Sequence, residues 1–171
     1  MGKVVTVLGL GPSLNLYVPD GNISIGVNDI WSRIQTDYVV CLDKKDRFTL
    51  ERLNIIEECR PIKFYSQIDD YFDRFDFCRI ELQPYYPNHE CQIDIQQLPM
   101  SHCSPFVAAV IAYKYHDAEE IHVYGVDLVS HPNLDSNVCG RIQRHFVNLQ
   151  TALMGKGRKM VIHGDAILKD I

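Results

Sequence analysis

Short aliphatic runs, apolar at nearly every position, recur along this chain and are separated by helical patterns. Lys3–Leu8 (KVVTVL) comes first and is closed by Gly9. Ile23–Val27, Asp37–Leu42 (DYVVCL), Ile62–Tyr65, a weaker Phe77–Leu82, Ile121–Val126 (IHVYGV) and Lys159–His163 (KMVIH) follow. A strand that alternates apolar and polar residues keeps one wet face. A strand apolar on both faces must be covered on both, as in a parallel sheet held between layers of helices.

Three of the intervening segments read as helices. Asp46–Cys59 carries Thr49, Leu53 and Ile56 at i, i+4 and i+7. Ser104–Tyr115 opens with Ser104 at the N-cap and Pro105 at the first helical position, both suited to amides that lack an intrahelical acceptor. It is apolar nearly all round (Phe106, Val107, Ala109, Val110, Ile111), which predicts a central, buried helix. Gly140–Met154 places Ile142, Phe146, Leu149 and Leu153 on one face, and Gly155 and Gly157 end it. The alternation predicts an α/β fold, a Rossmann-like three-layer sandwich with a mostly parallel sheet of about six or seven strands. With 171 residues the chain reads as one domain, 1–171. Gln83–Cys103, with three prolines and no periodicity, breaks the pattern. It suits a functional loop or lid, and equally an irregular excursion that covers part of the sheet.

Composition narrows the functional classes. At 46% hydrophobic and 23% charged residues the chain is an ordinary globular one, neither disordered nor coiled coil. A net charge of -5 argues against binding nucleic acid through the overall field. No apolar run reaches the ~20 residues that cross a bilayer, and the N-terminus lacks the cleavage site of a secretory signal. The six cysteines form no C-x-x-C pair, and the His89-x-Cys91 and His102-Cys103 pairs fit no standard zinc spacing. Reduced thiols, no metal centre and a cytoplasmic location are expected.

The candidate chemistry gathers at strand ends. Gly9-Leu10-Gly11-Pro12-Ser13-Leu14 follows the first run directly. Gly9 and Gly11 let the backbone turn tightly and approach a ligand, and Ser13 would open a helical turn whose amides face an anion. A plain tight turn explains the same residues. The segment is neither the G-x-G-x-x-G fingerprint nor a Walker loop. Asn28, after Gly26-Val27, can read a base edge or a ribose, or cap a helix. Asp43 can accept ribose hydroxyls, ligate Mg²⁺, or cap or pair with Lys44 or Lys45. Asp127, in Gly125-Val126-Asp127-Leu128, would meet the same crevice, because open α/β sheets bind ligands beyond the carboxyl ends of their strands. Arg141, Arg144, His145 and Asn148 fall on one helical stripe. Two arginines beside a histidine could hold phosphate oxygens and move a proton, and a solvated helix face gives the same pattern. His131 precedes them in a polar loop.

As a set these residues resemble a known group. A strand ending in G-x-G-P-S-L, G-V-N after the second strand, then D-Y-V-V-x-x-D, is similar to 6-hydroxymethylpterin pyrophosphokinases of the archaeal type and to motility accessory glycosyltransferases. It is similar too to small single-domain bacterial sialyltransferases. Ser104 at the start of an Ala-rich helix and the later G-x-D extend the likeness over roughly residues 4–128. The resemblance implies a nucleotide or nucleotide-sugar at the strand ends, with Gly9, Gly11 and Ser13 by the phosphates, Asn28 on the nucleotide, and Ser104 and Asp127 lining the crevice. The sialyltransferases carry Asn where this chain has Leu10. Their catalytic histidine lies between the G-x-D strand and the last helix, an interval that is short here and near which stand His131 and His145. The expected function is a transferase acting on a nucleotide-activated donor, a small sialyltransferase-like glycosyltransferase. Asn28, Ser13 and Ser104 would hold the nucleotide, Arg141 and Arg144 the phosphate, and His145 or His131 would act on the acceptor hydroxyl. A Mg²⁺-dependent pyrophosphokinase with Asp43 and Asp127 on the metal, and a non-catalytic nucleotide-binding module, are the alternatives. A homo-oligomer is compatible with each.

Overall fold

The computed structural model describes residues 2–84, 93–101, 103–127 and 135–164. Seven strands form one sheet: β1 (Val4–Leu8), β2 (Ile23–Val27), β3 (Tyr38–Val40), β4 (Lys63–Ser66), β5 (Phe77–Arg79), β8 (Glu120–Tyr124) and β9 (Lys159–Ile162). Every pairing is parallel, and the spatial order is β5-β4-β3-β2-β1-β8-β9. The order reverses at β1 and β8. From β1 the chain steps outward through β2 to β5, and from β8 it steps the other way to β9. The sheet is the expected α/β arrangement.

Alternate residues of the central strands serve the two faces. Val5 and Val7 of β1, Ile25 and Val27 of β2, Val40 of β3, and Ile121 and Val123 of β8 pack with α2 (Ser104–His116) and α3 (Ser136–Gly155) in one buried cluster. Leu8, Val39, Cys41 and Phe64 pack on the other side with Ile56 of α1 (Leu50–Glu58), Leu14, Ile30 and Tyr71. The helix apolar all round is the central one: Phe106, Val107, Ala108, Ala109, Val110, Ile111 and Ala112 of α2 are fully buried. At β8 the rule of two apolar faces fails. Glu120, His122 and Tyr124 alternate with the buried Ile121 and Val123 and stay half-exposed.

Several boundaries differ from the sequence pattern, each for a local reason. Thr49 is the N-cap of α1 rather than part of its apolar stripe, its hydroxyl accepting from Arg52 N at 3.4 Å, and Lys45–Arg47 form a separate 3-10 turn before it. Cys103, not Ser104, is the N-cap of α2, so Ser104 already lies inside the helix. α3 begins a turn before Gly140, because Asp135 caps it by accepting from Val138 N at 2.9 Å. Phe77–Leu82 divides into β5 and a short β6 (Leu82–Gln83), which leaves the sheet to pair in parallel with β7 (Leu98–Pro99). In the described part of the expected lid segment, Ile93, Ile95 and Leu98 are buried in the α2 cluster, so this part covers the core. Among the described residues no helix is long and apolar enough to cross a membrane.

At the far end of α2, His116 is buried with its Nε2 3.2 Å from the Tyr65 hydroxyl. Burial, reinforced by Lys3 and Lys63, lowers its pKa below the usual 6.5. A depressed histidine contributes stability that is complete above the unfolded value and is lost as pH falls through the folded one. Urea unfolding is therefore expected to show a loss of stability from pH 7.5 to pH 5 that is smaller in His116→Gln. The fully buried Ile111 gives the packing counterpart. Ile111→Ala should cost about 2–5 kcal/mol in the same assay, whereas Val18→Ala, at an exposed site, should stay within about 0.5 kcal/mol.

Candidate functional site

Open parallel sheets bind ligands where the strand order reverses, outside the carboxyl ends. Here that place lies between the turns that follow β1 and β8. Gly9 N donates to Tyr124 O and Gly11 N to Gly125 O, each at 2.8 Å, so the two turns continue the pairing of their strands. A Cβ on Gly9 would lie 2.5 Å from Gly125 O, one on Gly11 2.5 Å from Asp127 Oδ2, and one on Gly125 2.2 Å from Gly9 O. Gly125 also has φ +75°, the left-handed region. Both glycines of the Gly-Leu-Gly turn are thus required by backbone packed on backbone.

Ser13 locks the two turns together. Its hydroxyl donates to Asp127 Oδ2 at 3.0 Å and accepts from Gly125 N at 2.8 Å, and its own amide donates to the same carboxylate oxygen at 2.9 Å. The amide expected to face a bound anion is therefore engaged by Asp127. The end of β9 joins this cluster, since a Cβ on Gly164 would lie 2.4 Å from Ser13 Cβ and 3.1 Å from Asp127 Oδ1. Gly9, Gly11, Ser13 and Asp127 are brought together as the sequence suggested. Ser104 is buried in the first turn of α2, whose Pro105 lies 3.2 Å from the Cβ position of Gly9.

Asn28 ends β2 with φ +50°, a conformation that Asn tolerates better than most residues. Its amide donates to Val40 O at 3.0 Å. Among the described residues, its Oδ1 is the one buried side-chain polar atom without a hydrogen-bond partner. Gly26 is small because Ile30 and Thr36 close over it, at 2.5 and 2.9 Å from where a Cβ would stand. Asp29 is committed to Arg52, which donates to Oδ1 through Nε and Nη2 at 2.9 and 2.7 Å.

Other candidates stand apart. The Asp43 side chain is exposed, and its carbonyl accepts from the Tyr71 hydroxyl at 2.9 Å. The ends of β3 and β8 are separated by three strand spacings, about 14 Å at ~4.8 Å each. A shared magnesium ion between Asp43 and Asp127 finds no support in that spacing. Among the described residues no group of three or more His, Cys, Asp or Glu side chains could hold a metal ion. The expected stripe on α3 divides. Arg141 and Arg144 are exposed, while His145 is buried against Phe106, with Nδ1 2.9 Å from Ser101 Oγ. Ser101 Oγ also accepts from Cys103 N at 3.1 Å, which ties His145 to the start of α2. His131 lies outside the described residues.

Sequence reasoning misses two participants. Arg33 reaches back to the glycine turn, donating to Leu10 O at 3.2 Å and Asn15 Oδ1 at 2.6 Å. Gly164 follows the last strand run and packs on Ser13 and Asp127. None of these contacts has a local sequence signal, because each partner comes from a different strand connection.

No protein-family model matches the chain, and no curated protein matches it in sequence. Solved structures do match in fold. A point mutant of the α-2,3/8-sialyltransferase CstII superposes with a TM-score of 0.59 at 13% identity, covering 98% of this chain and 84% of that one. The CstII sialyltransferase of Campylobacter jejuni, in complex with the substrate analogue CMP-3FNeuAc, gives 0.57 at 14% identity, covering 94% and 79%.

The Ser13 clamp makes a direct prediction. Ser13→Ala removes two hydrogen bonds and leaves Asp127 and Gly125 N short of partners, which should cost about 1–3 kcal/mol in urea unfolding. Gly125→Ala should cost at least as much, because a methyl there meets backbone rather than a movable side chain.

Proposed function

We propose that this chain is a glycosyltransferase that takes its sugar from a nucleotide-activated donor, a CMP-sugar first among them, across the carboxyl ends of β2, β1 and β8. The observation that carries the reading is the built switch point, with Gly9, Gly11, Ser13 and Asp127 at its centre and the buried, unpartnered Oδ1 of Asn28 beside it. A buried acceptor without a donor costs about 1–3 kcal/mol, which an amine of a base or a ribose hydroxyl would offset. The CMP-sugar analogue bound by a sialyltransferase of the same fold supports CMP as the nucleotide.

The residues divide the work as follows. Asn28 reads the nucleoside. Asp127 already engages the Ser13 amide, so a donor phosphate is assigned to the N-terminus of α2 and to Ser104, where helix amides favour an anion. Arg141 and Arg144, exposed in the first half of α3, neutralise the phosphate as it leaves. Arg33, held on the glycine turn, adds positive charge at the same mouth. No metal enters this scheme, so nucleotide binding should be the same with and without Mg²⁺.

A thermal-shift series with CMP, UMP, AMP, ATP and CMP- and UDP-sugars, each with and without Mg²⁺, tests the reading. CMP at 100 times its Kd adds about 2.7 kcal/mol, a rise of roughly 5–10 °C for a chain of this size. Asn28→Gly keeps the left-handed backbone and removes the amide. It should weaken CMP binding about 10–100-fold without loss of folding cooperativity. A flat panel overturns the proposal, and a response to ATP that needs Mg²⁺ replaces it with the pyrophosphokinase. Binding without turnover on any acceptor leaves a nucleotide-binding module.

A further inference from the structure

The half-exposed face of β8 and β9 carries a line of titratable groups that the site described above does not use. Glu120 Oε1 lies 2.9 Å from His122 Nε2, and His122 Nδ1 lies 2.7 Å from His163 Nε2. Lys159 Nζ holds the same carboxylate oxygen at 3.1 Å. The two imidazoles are within 19° of parallel with centroids 5.0 Å apart. That separation is what a 2.7 Å nitrogen-to-nitrogen bond produces when two nearly coplanar rings meet end to end, so each ring aims its nitrogen at the other. The geometry is that of a shared proton, not of two lone pairs converging on a metal ion.

The hydrogen-bond roles follow from the ends. The Glu120 carboxylate can only accept, so His122 Nε2 carries the proton and, in the neutral imidazole, His122 Nδ1 is the acceptor. His163 Nε2–H must then be the donor, and His163 Nδ1 is the nitrogen left outside the chain. This is the arrangement in which a carboxylate orients one base and that base orients the next. The line runs up the sheet toward the switch point. His163, just past the end of β9, stacks flat on Tyr124, with centroids 4.0 Å apart at 2°. Tyr124 is followed by Gly125, which donates to Ser13 Oγ. His163 is followed by Gly164, which packs on Ser13 and Asp127.

We propose that Glu120, His122 and His163 form a proton-sharing chain whose outer end, His163 Nδ1, is the acid–base group at the margin of the crevice. For its substrate the proposal rests on the nucleotide-sugar reading, and for its geometry it does not. In the transfer, the acceptor hydroxyl gives its proton to His163 Nδ1 as its oxygen bonds to the anomeric carbon of the sugar. The bond from that carbon to the phosphate oxygen breaks, and its electron pair leaves with the nucleotide. The positive charge gained by His163 is shared with His122 and stabilised by Glu120, and the proton later returns to solvent. Burial and the neighbouring His122 hold the His163 pKa below 6.5, so the ring is neutral and able to accept at pH 7. The Lys159 hydrogen bond, with His122 beside it, keeps Glu120 ionised. Among the described residues, the titratable groups near the pair include Tyr124, stacked on His163, and Tyr17, packed on Tyr124, with Asp20 acting on both tyrosines. By contrast His145 is buried against Phe106 with one ring nitrogen on Ser101.

Two measurements decide it. The first is an imidazole titration by ¹⁵N NMR on the free protein. His163 should titrate below 6.5 in the unaltered protein and rise toward 6.5 in His122→Gln. A His163 titration that His122→Gln leaves unmoved overturns the chain, whatever the protein binds. The second uses CMP and, with a CMP-sugar and acceptor, transfer. CMP should shift the His163 resonances, His163→Gln should lower kcat about 100-fold or more with the donor Kd unchanged, and His122→Gln and Glu120→Gln should move the acid limb of the pH–rate profile. His163 resonances unmoved by bound CMP, or transfer that survives His163→Gln and is lost in His145→Gln, overturns the assignment. If no nucleotide binds, the nucleotide-sugar reading and the catalytic assignment fail together, while the His163 titration still tests the chain alone.

Discussion

Two backbone turns meet at the top of this sheet with no side chain between them, and the rest of the site depends on that contact. Gly9 and Gly125 stand so close that a methyl on either would lie within 2.5 Å of the other's backbone. The contact extends the pairing of β1 with β8 beyond the regular ladder, through the amides of Gly9 and Gly11. It also lets Ser13 bridge to Asp127, and it brings Pro105, and with it the N-terminus of α2, over the glycine turn. A larger residue at any of these places would part β1 from β8 at the one point where the chain changes direction. The glycines are therefore explained by packing before any ligand is considered. Ser13 offers its amide to a carboxylate that the chain itself supplies.

The fold was legible because burial on both faces leaves a simple trace. Val5, Val7, Ile25 and Val39 lie in strands that are apolar at most positions on both faces, and Phe106 to Ala112 are apolar all round the helix, so both stood out from their neighbours. What was not legible was set by single side-chain contacts. Thr49 reads as a stripe residue until its hydroxyl is seen to cap α1. Asp135 starts α3 early by the same means. The split of Phe77–Leu82 depends on β7, about fifteen residues further on, offering an edge to Leu82 and Gln83.

The site was legible in part for the same reason. Residues at the ends of β1, β2 and β8 could be named from the pattern, because parallel strands deliver their ends to one place. Which of them share a contact depends on strand order, and the sequence does not state that order. Asp43 and Asp127 look alike as acidic strand ends and lie three strands apart. Arg144 and His145 are adjacent in sequence, yet 100° of helical turn puts one in solvent and the other against Phe106.

Strand order also separates two histidine environments. His116 lies at the C-terminal end of α2, about 20 Å along the helix from the glycine turns at 1.5 Å per residue. It is enclosed by Tyr38 and Tyr65, and its depressed pKa acts only on stability. His163 lies at the carboxyl end of β9, where the strand-end residues collect. It owes its lowered pKa first to burial and then to a second imidazole placed end-on to it. The edge position of β9 makes that arrangement affordable. Among the described residues no strand lies beyond it, and the half-exposed face of β8 lets charged and proton-sharing groups stand without the desolvation that the central strands would impose. The reversal of strand order that builds the crevice thus also leaves, one strand away, a face on which ionisable residues can stand close to it.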